Sequence, residues 1–221
     1  MLDCITLESP SPATACVIWM HGLGADGNDF VPMVPELNLP RDHSVRFLFP
    51  NAPTMPVSIN GGYVMRAWYD IASAEIDKRA DEAGVRKSQL AIAELIAEQR
   101  AQGIASERIV LAGFSQGGVI ALQTGLRYPE KLGGIMALST YLACAETLGV
   151  EASSSNRQIP ILMVHGATDP VIPIALAKRS KARLETHGYK IDWHEYGMTH
   201  SVCADEIDDI AAFLKRVFAI A

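Results

Sequence analysis

Two rhythms of apolar residues alternate along this chain. Short runs at 15–20, 45–49, 108–114, 134–139, 159–164 and 190–196 read as strands. Most of them are apolar almost without interruption, as strands buried on both faces of a parallel sheet are. Between the runs the period lengthens to that of a helix. Residues 85–100 place Ile92, Leu95, Ile96 and Gln99 on one face, with Gly103 as a stop. Segments 116–128 and 174–187 end at Pro129 and Gly188, and Ile207, Ile210, Ala211, Leu214, Val217 and Phe218 form the apolar stripe of a last helix. The alternation predicts an α/β protein with a mainly parallel central sheet and helices on both faces. No repeat or linker interrupts it, so residues 1–221 read as one domain.

Ligands of such sheets sit beyond the carboxyl ends of the strands. Four post-strand segments are chemically rich: HGLGADG, SQGG, HGATDP and GMTHS. Gly113-Phe114-Ser115-Gln116-Gly117 fits G-x-S-x-G between a strand and a helix, the context that motif requires. A serine held at so sharp a corner takes up a strained backbone, and its neighbours two residues away must lack bulk. An ordinary strand-to-helix turn is the competing reading.

A serine hydroxyl needs a base, and the base needs an orienting acid. Of six histidines, His21 and His165 precede glycines at strand ends, His43 lies in a polar loop, His187 is near a helix end and His194 is inside a strand. His200 follows the last strand, and the order Ser, acid, His selects it. Asp169, just past the strand of IPILMVHGATDP, is the matching acid, with an Asp-Pro turn as the plainer alternative. The backbone N–H groups of Gln116 and Leu23 are the expected oxyanion donors.

Charge and composition exclude other classes. A net charge of −6 disfavours a nucleic-acid or anionic-membrane partner. Asp3 and Glu8 stand where a signal peptide would be basic, and the apolar run at 15–20 is too short to span a bilayer. The four cysteines are scattered, with Cys16 inside a strand-like run, so reduced thiols and a cytoplasmic location are expected. No metal-ligand spacing occurs. The one rival motif is Gly22-Leu23-Gly24-Ala25-Asp26-Gly27, a literal G-x-G-x-x-G. It would suggest a dinucleotide-dependent oxidoreductase, but Pro32, Pro35 and Pro40 crowd the helix it should open.

Taken together, HGLGADGNDF, FPNAPTMPVSINGGYVMRAWYDI, SERIVLAGFSQGGVIAL, HGATDPVIP and MTHSVCADEI resemble the carboxylesterase/acyl-protein thioesterase family of small α/β-hydrolases. The resemblance spans nearly the whole chain. It implies an α/β-hydrolase fold, a Ser115–Asp169–His200 triad, oxyanion donors Leu23 and Gln116, and no cofactor. The implied reaction is hydrolysis of short- to medium-chain carboxylic esters through an acyl-enzyme. Acyl-protein thioester or lysophospholipid cleavage is the alternative physiological role. By the same resemblance the segment 54–71 lines the acyl pocket, with Met65, Trp68 and Tyr141 as candidate substrate contacts. Family members are often dimers, which makes a homodimer a candidate assembly, but no sequence feature specifies an interface. One departure stands beside the base: Tyr196-Gly197-Met198-Thr199-His200 replaces the family's Tyr-Pro-Met-Gly-His, and the β-branched Thr199 is expected to narrow the leaving-group side.

Overall fold

The computed structural model describes residues 2–72 and 81–220. In chain order the strands are β1 (Cys4–Leu7), β2 (Ala15–Met20), β3 (Val45–Pro50), β4 (Thr54–Val57), β5 (Tyr63–Arg66), β6 (Ile109–Phe114), β7 (Gly134–Leu138), β8 (Ile161–Gly166) and β9 (Ile191–Tyr196). The helices are α1 (Glu82–Ala101), α2 (Gln116–Arg127), α3 (Leu148–Glu151), α4 (Ile174–Thr186) and α5 (Ala204–Phe218). Seven strands form one sheet in the order β1-β3-β2-β6-β7-β8-β9. All neighbours are parallel except β1, which runs antiparallel to β3 and closes that edge. Thr54–Val57 and Tyr63–Arg66 form a separate antiparallel hairpin.

The continuous apolar strands have the expected cause. Along β2, Cys16, Ile18 and Met20 enter one core layer, while Ala15, Val17 and Trp19 enter the other. The first layer is covered by α1, α2 and α4, and the second by α5 and two 3-10 turns at Val31–Met33 and Pro35–Leu37. Helix α2 is buried all round, a consequence of lying under the sheet and beneath α1. Cys16 is fully buried, and burial pushes its thiol up to about 12.

Strands β1, β4 and β5 and the single turn of α3 lie outside the two rhythms. Strand β1 is too short and mixed to carry a period, and the hairpin is largely exposed, with Tyr63 and Val64 open to solvent. Helix α1 starts earlier than its apolar stripe, at Glu82, because Asp81 caps it through the Gly84 N–H at 2.9 Å. After β2 the Gly-rich loop leads into proline-bearing 3-10 turns rather than an α-helix, so it does not open the helix that a dinucleotide fingerprint requires. Gly27 answers to packing instead, since a Cβ there would come within 2.6 Å of Phe49 O.

Candidate active site

Strand β6 delivers Ser115 to the junction with α2 at φ 56° and ψ −120°. A non-glycine residue there costs about 1–3 kcal/mol and persists only when its surroundings fix it. Ser115 N donates to Leu138 O at 2.9 Å, and Thr140 Oγ1 donates to Ser115 O at 2.7 Å, both from the end of the adjacent β7 and its loop. The flanking glycines have a steric cause. A Cβ on Gly113 would overlap the Gly117 carbonyl, and one on Gly117 would overlap Met20 O. The corner therefore closes only with glycine on both arms.

Asp169 lies in the loop after β8 and His200 in the loop after β9. His200 Nδ1 is 2.6 Å from Asp169 Oδ2. Asp169 Oδ1 accepts from Val171 N at 2.8 Å and Ile172 N at 2.9 Å, so both carboxylate oxygens are engaged. The buried His165 ring approaches the same Oδ2 at 3.5 Å while its Nε2–H donates to Ile172 O at 2.8 Å. Burial lowers the His165 pKa, the direction that favours a neutral ring. Phe114 packs against the His200 ring at a centroid distance of 4.7 Å.

Ser115 and His200 open onto one cavity of about 330 Å³. Among the described residues no hydrogen bond joins them, and contacts between a nucleophile and its base are often long before substrate binds. The cavity wall is mostly apolar, with Leu23, Tyr69, Ile71, Phe114, Tyr141, Val171 and Ile172 beside Gly22, Ala25, Asp29 and Gln116. The N–H groups of Leu23 and Gln116 have no protein acceptor among the described residues. Gly24, at φ 77°, turns the loop after β2, and its N–H is held by Arg66 O at 2.9 Å.

Of the three candidate substrate contacts, Tyr141 lines the cavity, whereas Met65 and Trp68 do not. Trp68 is buried in the core behind the loop after β2, where its indole N–H reaches His21 O at 2.9 Å. A buried indole N–H usually takes an acceptor, and for Trp68 that acceptor fixes where the ring lies. Met65 lies on the hairpin, its sulfur near Gly24 and the Asn60 amide. The neighbouring Tyr69 and Ile71 take up the wall instead. Thr199 is exposed and absent from the lining, so the expected narrowing by its side chain does not arise at the cavity wall.

Several partners escape a reading by motif. Val171 and Ile172 are signalled only by following Asp169 in DPVIP, and Phe114 only as the variable residue of G-x-S-x-G. Thr140 and the side chain of Gln116 carry no such signal, because their partners come from distant segments.

A parallel sheet with a strained serine at a strand–helix corner, and a histidine–carboxylate pair beyond neighbouring strands, defines a hydrolase of the α/β type. The phospholipase/carboxylesterase family model matches residues 3–218, and the chain belongs to that family. Acyl-protein thioesterase 1 of Gibberella zeae is 38% identical, over 96% of this chain and 94% of that protein. Acyl-protein thioesterase 1 of Neurospora crassa is 40% identical, over 92% of this chain and 86% of the other. Among solved structures, acyl-protein thioesterase 2 of Zea mays superposes with a TM-score of 0.87 at 28% identity, covering 99% of this chain and 100% of that one.

Proposed function

We propose that the protein cleaves acyl thioesters and related acyl esters through an acyl-enzyme on Ser115. The observation that carries this reading is the shared cavity: Ser115, His200, Leu23 and Gln116 line one apolar space, the N–H groups of the last two find no protein acceptor among the described residues, and Asp169 backs the ring. Because Nδ1 of His200 faces Asp169, Nε2 is the nitrogen left to take the serine proton. Ser115 Oγ attacks the acyl carbonyl, and the developing oxyanion accepts from Leu23 N and Gln116 N. His200 then protonates the departing thiol or alcohol. Water, deprotonated by the same nitrogen, attacks the acyl-enzyme and frees the acid. The acyl chain rests against Tyr69, Tyr141 and Ile172.

The names of the two fungal relatives favour thioesters over the simple carboxylic esters first implied by the family resemblance. The apolar wall is compatible with either, since both present the same acyl group. The test is a panel of p-nitrophenyl esters and acyl thioesters of graded chain length, with Ser115→Ala alongside. Wild-type turnover that is highest on thioesters and absent from the variant is the expected result. Full turnover by Ser115→Ala would remove the nucleophile assignment, and a wild-type preference for short esters would restore the simpler esterase.

A further inference from the structure

One buried side chain joins the two halves of the site and has no part in the proton transfers above. Gln116 is 2% exposed, and its carboxamide grips both ends of the Trp68–Tyr69 dipeptide. Oε1 accepts from Trp68 N at 3.0 Å, and Nε2 donates to Tyr69 O at 2.8 Å.

The same dipeptide reaches the other N–H donor. Trp68 Nε1 donates to His21 O at 2.9 Å, the carbonyl that leads into Gly22 and Leu23. His21 is fixed in turn: its Nδ1–H donates to Gly22 O at 2.7 Å, and Nε2 accepts from Ala52 N at 3.0 Å. Burial lowers the His21 pKa, in keeping with the neutral ring this pattern needs. Ser88 Oγ of α1 donates to Trp68 O, anchoring the dipeptide from behind. Tyr69 itself forms cavity wall, with its hydroxyl 2.9 Å from that of Tyr141.

Two N–H groups stabilise an oxyanion only while their separation and direction are held, and here one comes from the loop after β2 and the other from the first residue of α2. We propose that the Gln116 carboxamide is a positioning group that locks Leu23 N, Gln116 N and the acyl-side wall into one frame through Trp68–Tyr69. The proposal rests on the reading of those two N–H groups as oxyanion donors.

The experiment compares wild type, Gln116→Met, Trp68→Phe and the double variant on p-nitrophenyl butyrate. Methionine keeps the length of the side chain and the backbone N–H but removes both hydrogen bonds of the carboxamide. Active sites are counted by labelling Ser115 with a fluorophosphonate, which loses fluoride as the serine oxygen bonds phosphorus. For Gln116→Met, kcat per labelled site is expected to fall about 10- to 100-fold with KM nearly unchanged, the pattern of a misplaced transition-state contact. The double variant is expected to lose less than the product of the single losses, since both act on one frame. Fewer labelled sites with an unchanged kcat per site, or single effects that simply multiply, would overturn the proposal. If Gln116→Met does not fold, Gln116→Glu carries the same comparison at alkaline pH, where the ionised carboxylate keeps an acceptor for Trp68 N and has no donor for Tyr69 O. A wild type whose turnover survives complete labelling of Ser115 would overturn the underlying reading instead.

Discussion

Asp169 Oδ2 meets His200 Nδ1 at 2.6 Å, while the other carboxylate oxygen of Asp169 is already committed to Val171 N and Ile172 N. The division leaves the carboxylate no freedom to rotate, and the histidine is held by an oxygen whose direction the loop has set.

Asp169→Asn should therefore be more damaging than loss of charge alone. The two backbone donors claim the amide oxygen, which turns the amide NH₂ toward His200 Nδ1 and selects the wrong tautomer. A fall in kcat on the order of 10³–10⁴-fold is expected, with the melting temperature little changed. Steady-state kinetics beside a thermal melt measures it, and a loss below tenfold would show that the carboxylate does not set the tautomer.

Gly113→Ala should destabilise the protein by at least ~3 kcal/mol. The added Cβ overlaps backbone of Gly117 on one arm of the corner, and backbone cannot rotate aside as a side chain can. Urea denaturation gives the value. A stability within 1 kcal/mol of wild type would mean that the corner opens more easily than its contacts imply.

Val171 is 54% exposed and lines the cavity. Val171→Asp leaves its N–H bond to Asp169 in place but puts a charge where an acyl chain would pass. KM should rise about tenfold for long acyl chains, the cost of losing one apolar contact, and stay flat for acetyl substrates. A uniform rise across chain lengths would place the chain elsewhere.

Glu206 in the first turn of α5 is fully buried, and among the described residues only the Cys203 backbone N–H approaches its carboxyl group, short of a well-formed hydrogen bond. Burial is the main cause that pushes its pKa from 4.5 up to about 8; the Cys203 backbone N–H opposes the shift and the Asp209 charge adds to it. The folded state thus holds a proton that the unfolded chain releases above 4.5. The stability tied to that proton is fully present below 4.5, is lost as pH rises to about 8, and is level beyond. Glu206→Gln should accordingly melt like wild type near pH 4. Its advantage should grow to a few kcal/mol, as an order of magnitude, by pH 8. Calorimetry across that range tests the slope; an advantage independent of pH would assign the effect to packing.

The sequence by itself determined the sheet-and-helix alternation, the burial of β2, β6, β7 and β8 on both faces, and the placement of Ser115, Asp169 and His200 in segments that follow strands. Each of these is written in a local signal, whether apolar period, glycine spacing or position after a strand. Only the tertiary structure decided that Tyr69 and Ile71 rather than Met65 and Trp68 form the cavity wall. The same holds for β1, which gains its place from pairing with β3, and for the Gln116 amide, whose partners lie across the fold. The physical reason is common to all three. Which side chain faces a cavity, and which acceptor a buried donor finds, depend on contacts between segments far apart in the chain, and no local pattern records them.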